Sequence, residues 1–238
     1  MKYLIYTVSD FTDCAEECIS ILYDSILKQN TKSDFDFVVV TNKSTQSKFN
    51  LLIDDSMESN YVGWLKYTNK LPAGYDGYLY LDSDIIFYEK IKNMFGSHPI
   101  SVIYENHPMS SSWFMFDMAT NQEKQEMINI NGCNAGTFSF TNKTTLEEIN
   151  SICKLVNIEN LNKEDQAKIE QTCFNYFIFK LHRQQILIND ITPFIQLHVQ
   201  EKQKNKSIFH FCGFDGSMIN KYKRMKEFIE TNVTDDQK

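Results

Sequence analysis

The strongest constraint on this chain is an apolar run interrupted twice by a carboxylate. Tyr78-Leu79-Tyr80-Leu81-Asp82-Ser83-Asp84-Ile85-Ile86-Phe87 has the composition of a buried strand. Side chains at i and i+2 of an extended strand share a face, so Asp82 and Asp84 are predicted to converge while Ser83 faces away. Two acids drawn together beside a core lose hydration and repel each other, and they need a counter-charge. A hard divalent cation bound through oxygen supplies one. The plainer alternative is a strand ending in a polar turn, with both acids in water.

The segments before this run set the fold class. Lys2–Val8 is an apolar strand, and Asp10-Phe-Thr-Asp13 reads as a turn and helix cap. Apolar positions 15, 18, 19, 22 and 26 then fall on one helical face. Phe35–Val40 is a second buried strand, so strand, helix and strand follow within forty residues. This order predicts an α/β fold with a mixed, mostly parallel central sheet flanked by helices. Residues 45–57 are polar and ambiguous, and Tyr61–Leu71 reads as a helix carrying Trp64, Lys66 and Tyr67.

Ile91–Phe95 is a short amphipathic segment, Ile100–Tyr104 a strand, and 105–133 an irregular, substrate-facing loop. Gly132-Cys-Asn134-Ala-Gly136 is a loop opening a strand at Thr137–Phe140. Helices are expected over Leu146–Val156 and Lys163–Leu181. Short strands are expected over Gln185–Ile188, Ile195–Val199 and Ser207–Phe211, before a closing helix. The chain contains no internal repeat or linker. It reads as one domain over 1–238, with a nucleotide-binding half over 1–104 and an acceptor-side half over 105–233.

Composition excludes several classes. A formal charge of −7 argues against nucleic acid as the main partner. No window offers the roughly 20 apolar residues of a membrane span, and Met1–Ser9 is too quickly polar for a secretory signal. Six cysteines without a CxxC pair suggest reduced thiols in a cytoplasmic protein. There is no GxxxxGK[ST] phosphate loop, no GxGxxG turn and no GxSxG elbow.

The paired acids, two glycine loops and His210 remain. Their order resembles the nucleotide-sugar glycosyltransferases of the GT-A fold, particularly the retaining group that includes glycogenin and bacterial galactosyltransferases. The matching words are a first strand ending over Thr7–Phe11 and Lys66, some sixteen positions before Asp82-Ser-Asp84. Asn134-Ala-Gly136, Glu170-Gln171-Thr-Cys-Phe-Asn175 and His210-Phe-Cys-Gly213 complete the series. The chain departs from that pattern at Gly216, where the group often carries a diphosphate-binding lysine; Lys221, Lys223 or the Gly213–Gly216 backbone would have to substitute. The acid before Gln171 is Glu170 where aspartate is common.

The resemblance implies a metal site of Asp82, Asp84 and His210 holding manganese (Mn2+) or magnesium (Mg2+). It further implies that a UDP-sugar donor is held by Thr7, Asp10, Phe11, Lys66, Asp82, Ser83, Asn134, Gly136 and Gly213, with a carbohydrate or other hydroxyl acceptor. Gln171 would lie nearest the anomeric carbon, with Asp84 at the departing diphosphate. Asp117 or Glu105 would be the base to consider if the reaction inverts; retention is favoured. Trp113, Phe114 and Phe116 would stack an acceptor sugar or pack in the core. Each residue has a plainer reading: His210 as a buried strand histidine, Lys66 as a solvated helix lysine, Asn134 in an ordinary turn, Gln171 and Asn175 as an exposed polar stripe.

A haloacid-dehalogenase-type phosphatase also uses Asp-x-Asp and Mg2+, but usually on its first strand and with Thr or Val where Ile86 stands. A catalytically silent GT-A sugar-binding module is the other alternative. A nucleotidyltransferase is disfavoured because no glycine-rich, basic loop follows the first strand.

Overall fold

β1 (Tyr3–Val8) is buried at all six positions, as expected of a strand covered on both faces. The computed structural model, which describes residues 1–56, 61–111, 118–156, 161–200, 202–212 and 217–233, places this strand near the centre of a seven-stranded sheet. β1 pairs in parallel with β2 (Phe35–Thr41) on one side and β4 (Gly77–Leu81) on the other, and β3 (Asn50–Ile53) adds a parallel edge to β2. β7 (Asn131–Phe140) runs antiparallel between β4 and β6 (Ile100–Pro108), and β8 (Asn189–Asp190) lies parallel on β6. The order is β3-β2-β1-β4-β7-β6-β8, the mixed, mostly parallel sheet predicted.

Alternation along the central strands divides the core. Tyr3, Ile5, Leu79 and Leu81 face α1 (Ala15–Ile26), which buries Ile19, Leu22 and Ile26 against them. Leu4, Tyr6, Tyr80 and Phe138 face α3 (Thr144–Cys153) and α4 (Lys163–Arg183), with α2 being Asn121–Met127. Tyr67, Phe138 and Phe174 form one ring cluster, with Tyr67 6.1 and 6.3 Å from the other two and those two 4.9 Å apart. Each fully buried ring of this kind contributes about 1.5–3 kcal/mol.

A second sheet, not foreseen from the sequence, is built from three three-residue strands. β10 (Ile208–His210) pairs antiparallel with β5 (Ile85–Phe87) and parallel with β9 (Ile195–Leu197). The chain therefore leaves the large sheet at Leu81, turns through Asp82-Ser83-Asp84 and enters the small sheet at Ile85. The acids lie on this crossover and not along one continuous strand.

Other expectations are corrected. Tyr61–Leu71 and Ile91–Phe95 form 3-10 turns, at Val62–Tyr67 and Ile91–Met94. Within 105–133, β6 continues to Pro108 and α2 begins at Asn121; Trp113, Phe114, Phe116 and Asp117 lie outside the described residues. Asn134-Ala-Gly136 is no loop but the bulged middle of β7, where the partner along β6 jumps from Phe138 to Asn134. Gln185–Ile188 is not a strand; Gln185 takes a left-handed φ of 59° just after α4. The closing helix, α5, spans Met218–Val233, and Gly213 and Gly216 before it are outside the described residues.

The Val62–Tyr67 turn is anchored from β3. Asp54, which follows that strand, accepts from Ser56, from the hydroxyl of Thr68 and from Lys70. Burial raises the Asp54 carboxyl, but these donors outweigh it and hold it below the ordinary range. A depressed folded value means this contribution is complete above the unfolded value of about 3.9 and is lost as pH falls through the folded one. Asp54→Asn is expected to cost about 1–3 kcal/mol at pH 7, with the gap closing toward pH 3. Urea unfolding at the two pH values measures this.

Candidate active site

At the end of β4, three groups from two sheets meet. The ligating atoms of Asp82, Asp84 and His210 all lie within 4.8 Å of one another. His210 Nε2 stands 3.4 Å from Asp82 Oδ2 and 3.3 Å from Asp84 Oδ1. β10 sets this register, because His210 pairs with Ile85 and the Phe211 N–H donates to the Asp84 carbonyl. On the other side the Asp82 N–H donates to the Gly136 carbonyl, tying the turn to the β7 bulge.

Gly136 is required by close approach. A Cβ there would stand 2.3 Å from His210 Cε1, 2.6 Å from Asp82 Oδ2 and 2.9 Å from Asn134 Oδ1. Asn134 Oδ1 accepts from the Gly136 N–H, and its Nδ2 donates to Glu105.

The charges are balanced by protein groups. Burial raises Asp84, yet Lys221, 2.6 Å from its Oδ2, and His210 hold it well below the ordinary range. Burial likewise raises Asp82, and Lys66 and His210 outweigh it. Burial favours neutral His210, but Cys212 and the two carboxylates keep its proton on above the usual range. Even so, neither ring nitrogen has a hydrogen-bond partner of good geometry among the described residues. A buried imidazole facing two carboxylates without such partners suits a ligand for a divalent cation.

Behind the acids lies a buried network. Lys66 Nζ is 3.2 Å from Glu170 Oε2 and 3.7 Å from Asp82 Oδ1, donates to the Ala135 carbonyl and sits over the Tyr80 ring. Tyr67 donates to Glu170 at 2.5 Å, and the Tyr80 hydroxyl donates to Asp82. Lys66 and Glu170 are each 3% exposed, so the solvated-lysine alternative fails. Burial pushes the Glu170 carboxyl up against the pull of Lys66 and Tyr67. Burial would lower Lys66, but Asp82 and Glu170 keep it charged.

A cavity of about 740 Å³ opens beside this cluster. Asp82, His210, Lys66, Asn134, Gly136 and Gln171 all line it, with Glu105 opposite Gln171's helix. Asn175 does not: it is fully buried, and its amide clamps both backbone groups of Cys133 in β7. The exposed-stripe reading of Gln171 and Asn175 is therefore wrong for Asn175.

Thr7 is fully buried at the end of β1. Asp10 accepts from Thr12, and Phe11 takes a left-handed φ of 53° and packs against the α1-side core. Thr7, Asp10 and Phe11 do not line the cavity; Ser83 is half-buried in the turn. Gly213 and Asp117 lie outside the described residues. The sequence reading did not single out Tyr80, although strand alternation places it on Asp82's side. It also passed over Gln196, His198 and Gln203, which line the far end of the cavity.

The fold is that of the GT-A glycosyltransferases. The galactosyltransferase LgtC in complex with donor and acceptor sugar analogs superposes with a TM-score of 0.53 at 12% identity, over 97% of this chain and 96% of that one. An active-site mutant of LgtC, glutamine to glutamate, gives 0.56 at 12% over the same shares. The glycosyltransferase GlyE of Streptococcus pneumoniae TIGR4 gives 0.56 at 14%, over 96% of this chain and 60% of GlyE. No protein-family model and no curated protein matches the sequence. No helix among the described residues is long and apolar enough to cross a membrane.

Proposed function

We propose that this protein transfers a hexose from a UDP-sugar to a hydroxyl of a glycan or similar acceptor, with Mn2+ or Mg2+ held by Asp82, Asp84 and His210. The observation that carries this reading is the convergence of those residues at the carboxyl end of a central strand, where Asp82 and His210 open onto a cavity also lined by Asn134 and Gln171. The imidazole among oxygen ligands favours manganese. When bound, the cation would act as a Lewis acid for charge developing on the diphosphate.

The chain's own groups account for the rest. Asn134 and Glu105 offer hydrogen bonds to sugar hydroxyls, and Gln171 places a neutral amide on the cavity wall near the anomeric carbon. A solved LgtC structure replaces an active-site glutamine, which supports the assignment of Gln171. In a retaining transfer, the anomeric C–O bond breaks with its electron pair going to the diphosphate. The acceptor oxygen bonds to the same face of that carbon, and its proton passes to the departing phosphate. Glu105, which lines the cavity, or Asp117 is the base to test if the product is inverted. The six cysteines are free thiols, four of them buried; we place the reaction in the cytoplasm. Neither the phosphatase nor the silent-module alternative draws support from the site.

Thermal-shift measurements with UDP-galactose and UDP-glucose, each with and without Mn2+, test the proposal. A rise of about 5–10 °C at a hundredfold excess over Kd is expected only when nucleotide sugar and metal are both present. Slow UDP release without acceptor should accompany it. If no nucleotide sugar raises the melting temperature, the proposal fails.

A further inference from the structure

Both oxygens of Asp84 face cationic or ionisable protein groups, although Oδ2 makes no hydrogen bond of good geometry. Oδ1 faces His210, and Oδ2 lies 2.6 Å from Lys221 Nζ, which projects from the first turn of α5. Lys221 and Asp84 are distant in sequence, and no motif in the sequence pairs them. The two ammonium groups beside the acids differ in freedom. Lys66 is 4% exposed at its side chain and tied to Glu170, Asp82 and the Ala135 carbonyl. Lys221 is 20% exposed and approaches the cluster through Asp84.

In the metal-free site the Lys221 ammonium is paired with Asp84. A divalent cation ligated by Asp84 at about 2.0–2.6 Å would stand within a few ångströms of the Lys221 ammonium, and the two would repel. Only Lys221 has the exposure and the unbranched, flexible stem to yield.

We propose that Lys221 is a built-in placeholder for the divalent cation. It neutralises Asp84 in the metal-free protein and is displaced when metal binds.

Titration calorimetry of the full chain with Mn2+, without nucleotide, tests this. Lys221→Met should bind Mn2+ about tenfold more tightly than the native protein, because the competing charge is gone. Lys221→Arg keeps the charge and should not gain affinity. Lys226→Met, exposed on the same helix and paired with Glu230, should match the native protein. If Lys221→Met folds only in the presence of Mn2+, that dependence is itself the expected result. Unchanged or weaker Mn2+ binding by Lys221→Met, or failure to fold even with Mn2+, overturns the proposal.

Discussion

Asp84→Asn is expected to abolish the Mn2+-dependent stabilisation by UDP-sugar and to lower UDP release and transfer by about 10²–10³-fold or more. The amide is nearly isosteric, so shape is preserved while the charge is lost. Asp84 is 3% exposed and faces His210 and Lys221, so the substitution removes the carboxylate that both approach. A neutral amide oxygen is a poorer ligand than a carboxylate for a hard divalent cation. Calorimetric Mn2+ titration and a UDP-release assay check the expectation, and circular dichroism confirms that the variant is folded. Retention of metal-dependent donor binding by Asp84→Asn would mean that the cation lies elsewhere.

The largest stability effect is expected at Glu170. Glu170→Ala removes the nearer carboxylate of buried Lys66 and the acceptor of the Tyr67 hydroxyl. Breaking one side of a buried pair costs about 3–5 kcal/mol, because the remaining charge has lost its hydration and its partner. Asp82, 3.7 Å from Lys66, offsets part of that loss. Lys66→Met with Glu170→Leu should be less destabilised than Glu170→Ala alone, since an apolar pair needs no compensation. Urea unfolding of the native protein and the two variants measures both effects. A Glu170→Ala loss below about 1 kcal/mol would mean the Lys66–Glu170 pair is not stabilising.

The large sheet was legible because β1 and β4 are nearly continuous apolar runs, β2 is one but for Asp36, and α1 repeats its apolar positions at helical spacing. The small sheet was not, for a physical reason. Strands were expected at the positions of β9 and β10, but their pairing with β5, more than a hundred residues earlier, leaves no local signal. The same gap explains the error over the acids. Asp82 and Asp84 looked like one strand because β4 and β5 are both apolar and the turn between them is only three residues long.

Asn134 and Gly136 were recognisable as words, yet a β-bulge and a loop are alike in sequence where glycine is involved. The pairing of Lys66 with Glu170 could not be foreseen, because more than a hundred positions separate them. Asn175 shows the reverse case: the motif was recognised, but its amide serves the β7 backbone and not the cavity.

The crossover between the two sheets bears on when the site can form during synthesis. Asp82 and Asp84 emerge from the ribosome well before β10, which brings His210, and before the first turn of α5, which brings Lys221. At ordinary elongation rates the interval is on the order of ten seconds. Throughout it, a nascent chain carries both acids without their imidazole, so three-ligand cation loading must wait until β10 has been synthesised.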